Sequence, residues 1–197
     1  MAFEPMTGVG RKELAVERFA IKDLIAWKNS PRRRPLLVQG ARQVGKTWLI
    51  REFGQTHFAA VAYVNFLEDE AMARQFEGEL APARLLDAVT LYTGVNAKDP
   101  NTLVVFDEIQ ECPRALTSLK SFAERSPETA LVAAGSLLGV ALHRGVSFPV
   151  GKVDHLLIYP LSFDEFLLAT GNNLMLDTLR RGDLALADSL SERYIEQ

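Results

Sequence analysis

Residues 36–47 read Leu36-Leu37-Val38-Gln39-Gly40-Ala41-Arg42-Gln43-Val44-Gly45-Lys46-Thr47, a short apolar run that opens into G-x-x-x-x-G-K-T. This spacing is typical of the Walker A loop, in which glycines let successive backbone N–H groups turn inward around phosphate oxygens. Lys46 would reach the β- and γ-phosphates, and the Thr47 hydroxyl would ligate Mg²⁺. The N-terminus of the following helix adds partial positive charge. The alternative is a coincidental Gly-rich turn. We therefore predict nucleotide contacts from Gly40, Ala41, Arg42, Gln43, Val44, Gly45, Lys46, Thr47 and Trp48.

A second motif lies further along the chain, where Leu103-Val104-Val105-Phe106 runs into Asp107-Glu108. A buried strand that ends in Asp is the Walker B arrangement, in which Asp107 would hold Mg²⁺ or its water shell. Glu108, beside the metal, is then a candidate general base that orients and polarises an attacking water. Solvated charges at an ordinary strand end are the alternative. The pair of motifs predicts a site for nucleotide phosphates and Mg²⁺ with a candidate base for hydrolysis.

A third candidate is Ser136, at the end of the apolar run 130–134. In P-loop ATPases with an extra strand between the Walker A and Walker B strands, a polar residue at this place contacts the γ-phosphate or the attacking water. The alternative is a small residue that finishes a strand. The predicted catalytic set is Glu108, Lys46 and Ser136, with Thr47 and Asp107 as metal ligands.

Composition narrows the class of protein. The 197 residues are 48% hydrophobic and 24% charged, which is ordinary for a globular chain with a sizeable core. The net charge of −3 argues against binding of nucleic acid through the whole surface. The arginines of Pro31-Arg32-Arg33-Arg34-Pro35 are interpreted as part of a solvated loop, with a local contact to phosphate or to a partner as the alternative. One cysteine excludes an internal disulfide, and no apolar stretch is long enough to span a bilayer. We expect a cytoplasmic protein without a membrane partner.

Apolar periodicity predicts alternating strands and helices. Strands are expected at 36–39, 60–66, 102–107, 130–134 and 155–159, and helices at 11–29, 69–77, 82–92 and from Pro113. Ser162-Phe163-Asp164-Glu165 predicts a capping box that opens another helix, and the tail 171–197 is helical.

This alternation predicts an α/β fold of the P-loop NTPase type, with three α/β/α layers around a five-stranded, mostly parallel sheet, an N-terminal helix and C-terminal helices. The predicted organisation is an N-terminal extension and helix (1–30), the core (31–170) and the start of a helical region (171–197).

The assembled chain resembles an AAA+-like ATPase family of bacteria and archaea, usually named only as ATP-binding proteins. The resemblance covers residues ~11–195. It is carried by Gly40–Thr47, Tyr63-Val64-Asn65-Phe66, Asp107-Glu108-Ile109-Gln110, Ala134-Gly135-Ser136-Leu137-Leu138, Phe148-Pro149-Val150-Gly151-Lys152-Val153 and Tyr159-Pro160-Leu161-Ser162-Phe163-Asp164-Glu165-Phe166-Leu167. It implies ATP binding and Mg²⁺-dependent hydrolysis through Lys46, Thr47, Asp107 and Glu108.

Members of that family continue through a helical region and a C-terminal domain of unknown function. Since this chain ends at Gln197, we expect it to be an excised fragment or a truncated product whose lid is incomplete. Slow turnover is therefore expected.

Several functions remain open at this stage. One is an ATPase module that drives or switches an attached domain, and another is a nucleotide-gated binding module with negligible hydrolysis. A GTPase is a weaker possibility, because Asn96-Ala97-Lys98-Asp99 has the letters but not the order of a guanine-recognition motif. A kinase of small molecules shares the phosphate loop, but Asp107-Glu108 and a polar end to the fourth strand suit activation of water better.

Phosphoryl transfer builds negative charge on the γ-phosphate, which related ATPases commonly neutralise with a basic residue from a neighbouring subunit. Arg144 and Lys152 lie in the predicted connection to the last strand, and we prefer Lys152. This predicts a homo-oligomer whose specific activity rises with protein concentration.

Overall fold

The computed structural model describes residues 18–136 and 151–188. Its helices and strands, in chain order, are α1 (Ala20–Lys28), β1 (Leu36–Gln39), α2 (Lys46–His57), β2 (Ala60–Asn65), α3 (Glu70–Arg74), α4 (Pro82–Thr93), β3 (Thr102–Asp107), α5 (Pro113–Arg125), β4 (Ala130–Gly135), β5 (Asp154–Leu157), α6 (Phe163–Ala169) and α7 (Asn173–Arg180). A single 3₁₀ turn, Ile109–Glu111, joins β3 to α5.

The strands form one sheet in the order β2-β3-β4-β1-β5, and every pair is parallel. The predicted α/β fold is confirmed. Since β4 lies between β1 and β3, the ends of three neighbouring strands meet at one edge of the sheet, where parallel α/β sheets bind ligands.

Side chains alternate between the two faces of the sheet, as expected for strands covered on both sides. In β1, Leu36 and Val38 belong to the apolar cluster of α1 and α2, whereas Leu37 belongs to the cluster of α3, α4 and α5. The two clusters are the two interfaces of the predicted three-layer arrangement.

Several predicted boundaries shift. The fifth strand, predicted at 155–159, is Asp154–Leu157, because its partner β1 ends at Gln39, whose carbonyl accepts the Ile158 N–H at 2.7 Å. The helix predicted at 69–77 is shorter, at Glu70–Arg74, and the one predicted at 11–29 is described only as Ala20–Lys28. Residues 11–17, the 137–150 segment with Arg144, and residues 189–197 of the predicted helical tail lie outside the described residues.

The chain divides into two compact units, Phe19–Pro160 and a smaller one that contains Arg18 and residues 161–188. The capping box of the smaller unit is confirmed: Ser162 Oγ accepts the Glu165 N–H at 3.2 Å, and the Glu165 carboxylate accepts the Ser162 N–H at 2.8 Å. Glu165 also forms a buried ion pair with Arg18 at 3.1 Å, so one carboxylate both caps α6 and fixes Arg18.

Among the helices of residues 18–136 and 151–188, none combines the length and apolar character needed to cross a membrane.

We expect Gly54→Ala to destabilise the protein, although alanine favours helices over glycine by about 1 kcal/mol. An added Cβ on α2 would lie 2.6 Å from Val61 Cγ2 and 3.1 Å from Leu103 Cδ2. Overpacking of this kind costs about 1–3 kcal/mol, and contacts on two sides place this site in the upper half of that range. Urea denaturation measures the change in the free energy of unfolding. Gly78→Ala is the control because its Cβ would meet only Arg84 Nη2, at 3.9 Å; equal stability of the two variants would contradict the prediction.

Candidate functional site

The Gly40–Thr47 loop joins the end of β1 to the start of α2. An added Cβ on Gly40 would lie 2.3 Å from the backbone carbonyl oxygen of Ile158, so only glycine fits there. Gln43 and Gly45 have left-handed φ angles of 64° and 87°, the kind of conformation that turns backbone N–H groups toward one side. The Val44 side chain is buried in the α1–α2 cluster and anchors the middle of the loop. Ala41, Arg42 and Gln43 are exposed, and Trp48 is 48% exposed.

Lys46 is the first residue of α2 and is 7% exposed. Its ammonium donates hydrogen bonds to the carbonyl oxygens of Gly40, at 3.0 Å, and Ala41, at 2.7 Å. Burial lowers the pKa of Lys46, while the negative charges of Glu108 and Asp107 oppose that shift. A phosphate in the loop would replace two neutral carbonyl acceptors with charged ones, which form stronger hydrogen bonds.

Asp107, at the end of β3, is 3% exposed and is held on both carboxylate oxygens. Oδ2 accepts the Thr47 hydroxyl at 2.8 Å and the Tyr63 hydroxyl at 2.5 Å, and Oδ1 accepts the Glu108 N–H at 2.9 Å. The bond from Thr47 passes the end of β4, because β4 separates β1 from β3. The structure thus brings together the two predicted metal ligands.

These donors fit Mg²⁺ by their chemistry. They are a hydroxyl and a carboxylate, and Mg²⁺ usually takes one or two protein oxygens while phosphates and waters complete its shell. Within the described ranges, His, Cys, Asp and Glu form no cluster of three or more that would hold a metal on its own. A metal at Thr47 and Asp107 would share its shell with nucleotide phosphates and water.

Glu108 has a left-handed backbone, with φ 49° and ψ 44°, where β3 turns into the 3₁₀ turn. Non-glycine residues adopt this region rarely, most often where the surrounding structure requires it. The Glu108 carboxylate accepts a hydrogen bond from Gln110 Nε2 at 2.5 Å. The other amide atom, Gln110 Oε1, is buried and has no donor among the described residues. Glu108 is thus oriented by a neighbour whose other amide atom finds no donor within residues 18–136 and 151–188.

Ser136 follows β4, whose last residue, Gly135, is in register with Gln39 at the end of β1. Its hydroxyl is shielded from solvent and has no hydrogen-bond partner in the described part of the chain. An unsatisfied buried hydroxyl costs about 1–3 kcal/mol, which a ligand or a water could relieve. A contact of Ser136 with the γ-phosphate or the attacking water stays a prediction.

Tyr63 and Gln110 were absent from the predicted site. Tyr63 lies in one of the segments that carry the family resemblance, but a tyrosine in a strand does not by itself indicate a metal site, and only the pairing of β2 with β3 brings its hydroxyl to Asp107. Burial and the bond to Asp107 raise the pKa of Tyr63, so the phenol stays protonated. Gln110 could have been suspected because it lies two residues after Glu108 in a motif that also carries Asp107.

The arginines of the 31–35 segment lie at the opposite edge of the sheet, before β1. Arg33 donates to the carbonyls of Lys28, at 3.3 Å, and Glu128, at 2.7 Å, and Arg34 donates to that of Gly151 at 2.8 Å. These two side chains join loops to one another. That use favours a structural role over a phosphate contact.

Two other segments also precede strands and therefore lie at that opposite edge. Lys152, before β5, forms an ion pair with Glu124 at 3.0 Å, so any contact with a nucleotide would be with another copy of the chain. In the 96–99 segment before β3, Asn96 Oδ1 accepts the Lys98 N–H at 3.1 Å, and Lys98 pairs with Asp87 at 2.6 Å. The segment is a polar turn, as opposed to a guanine site.

A family model described as "AAA domain" matches residues 32–167, which is more than half of the chain. The matched range contains the Gly40–Thr47 loop, Asp107, Glu108 and Ser136. None of the curated proteins that were compared matches the chain.

Proposed function

Because the chain belongs to the AAA domain family, we propose that it binds ATP in the Gly40–Thr47 loop and hydrolyses it with Mg²⁺. The observation that carries this proposal is the 2.8 Å hydrogen bond between Thr47 and Asp107, which joins the first turn of α2, after the loop, to the end of β3. It brings the two candidate motifs into one site. The proposed reaction cleaves the β–γ phosphoanhydride bond of ATP and yields ADP and phosphate.

Each residue has a separate role in the proposed reaction. Backbone N–H groups of the loop and the Lys46 ammonium bind the phosphates. Thr47 and Asp107 hold Mg²⁺, which when bound neutralises charge on the β- and γ-phosphates. Glu108 accepts a proton from the water that attacks the γ-phosphorus, as the bond to the bridging oxygen breaks. Ser136 orients that water or a γ-phosphate oxygen.

The second candidate function is a nucleotide-gated switch with negligible hydrolysis. It is favoured by the hydrogen bond from Gln110 to the Glu108 carboxylate, which takes up one acceptor site on the candidate base. In either case the nucleotide cycle would drive or switch a C-terminal domain attached to the module.

Wild-type protein with ATP provides the first test. We expect Trp48 fluorescence to change when ATP binds, because Trp48 directly follows Thr47 and is half exposed. We also expect phosphate release to require Mg²⁺ and to stop with EDTA. Trp48→Phe should retain ATP binding but lose the signal, which excludes an effect on Trp27. GTP is added as a competitor of ATP to test the weaker possibility of a GTPase.

Binding without phosphate release would favour the switch, and the absence of binding would contradict both functions. Measurement at several protein concentrations tests the proposed trans contact through Lys152: a rise in specific activity supports it, and a constant rate that Lys152→Ala leaves unchanged contradicts it.

A further inference from the structure

We propose that Tyr63 is a positioning residue that orients Asp107 for Mg²⁺ and thereby sets the metal affinity of the nucleotide complex. This inference rests on the proposed function of the site. It starts from the 2.5 Å hydrogen bond that the Tyr63 hydroxyl donates to Asp107 Oδ2. Tyr63 lies on β2, beside β3, so it reaches the carboxylate from a different element than Thr47 does.

The number of acceptor sites on Asp107 explains why the direction of the carboxylate matters. An ionised carboxylate has about four acceptor sites. Thr47, Tyr63 and the Glu108 N–H occupy three of them, which leaves about one for a metal ion or a metal-bound water. The three donors therefore define where the remaining site points. Thr47 can keep its bond to Asp107 and still bind a metal, because a hydroxyl has one proton and two lone pairs.

Tyr63 is itself held in place by α2. The Arg51 guanidinium lies 4.3 Å from the centre of the Tyr63 ring, in a cation–π contact. Arg51 is four residues after Thr47, so both lie on the same face of α2. The helix that carries the metal ligand Thr47 thus also fixes the residue that orients Asp107.

The hydrogen bond from the phenol to a candidate metal ligand sets the size of the expected effect. Partners that hold a metal ligand by hydrogen bonding commonly contribute about 10- to 100-fold to metal affinity.

The test is a Mg²⁺ titration of ATP binding, followed by the fluorescence of a labelled ATP, with wild type, Tyr63→Phe and Tyr92→Phe. We expect the Mg²⁺ midpoint of Tyr63→Phe to rise about 10- to 100-fold, with ATP affinity in EDTA unchanged. Tyr92→Phe is the matched control: it also removes a hydroxyl bonded to an aspartate, but Asp69 caps α3 and has no part in the site. Its midpoint should equal that of wild type.

Arg51→Met provides a second variant at an exposed side chain, in case Tyr63→Phe does not fold. It should raise the midpoint in the same direction. An unchanged midpoint in the folded variants overturns the proposal, as does an equal loss of ATP affinity with and without Mg²⁺, which would indicate a merely structural role. If wild type itself shows no Mg²⁺-dependent ATP binding, the proposed function has failed and not only the role of Tyr63.

Discussion

Lys46→Ala should abolish measurable ATP binding at ordinary nucleotide concentrations while leaving the fold intact. The ammonium is the positive side chain placed inside the Gly40–Thr47 loop, and its hydrogen bonds are to the Gly40 and Ala41 carbonyls of the same loop. Loss of charged hydrogen bonds to phosphate corresponds to about 3 kcal/mol, or roughly 100-fold in affinity. Trp48 fluorescence or calorimetry measures the change.

Lys98→Ala is the matched control for this variant. Lys98 is another lysine whose ammonium has a partner, the Asp87 carboxylate, but it lies before β3 at the far edge of the sheet. We expect wild-type affinity for Lys98→Ala and a similar thermal midpoint for both variants. Wild-type affinity for Mg-ATP in Lys46→Ala would mean that the nucleotide binds elsewhere.

Glu108→Gln should retain ATP binding and lose phosphate release. Glutamine keeps the size of the side chain but does not accept the proton of the attacking water. Removal of a general base lowers the rate by about 10²- to 10⁴-fold. Single-turnover phosphate release, with the protein in excess of Mg-ATP and saturating it, measures the chemical step apart from binding.

The control for Glu108→Gln is Glu111→Gln, which changes the charge by the same amount at an exposed position at the end of the 3₁₀ turn. It should hydrolyse ATP at the wild-type rate. If Glu108→Gln also does so, another group activates the water, and the role proposed for Glu108 is wrong.

Local sequence was enough to predict the alternation of strands and helices and the parallel sheet. The reason is that buried parallel strands are short, nearly continuous apolar runs, such as Leu103–Phe106, and the helices between them show the 3.6-residue period. The Gly40–Thr47 loop was also predictable, because its backbone geometry needs glycine at defined positions: a side chain at Gly40 would collide with Ile158. The capping box of α6 depends only on Ser162 and Glu165, three residues apart.

Other features depend on contacts between residues far apart in the chain, and only the tertiary structure decides them. The end of β5 follows from where β1 ends, and the bond from Tyr63 to Asp107 exists because β2 pairs with β3. Lys152 lies far from the Gly40–Thr47 loop because β1 and β5 are parallel. Lys152 precedes the start of β5, whereas the loop follows the end of β1. Strand order is set by the packing of whole faces against helices, which no single motif encodes. The motifs therefore predict which groups can do the chemistry, while the sheet order decides which side chains hold them in place.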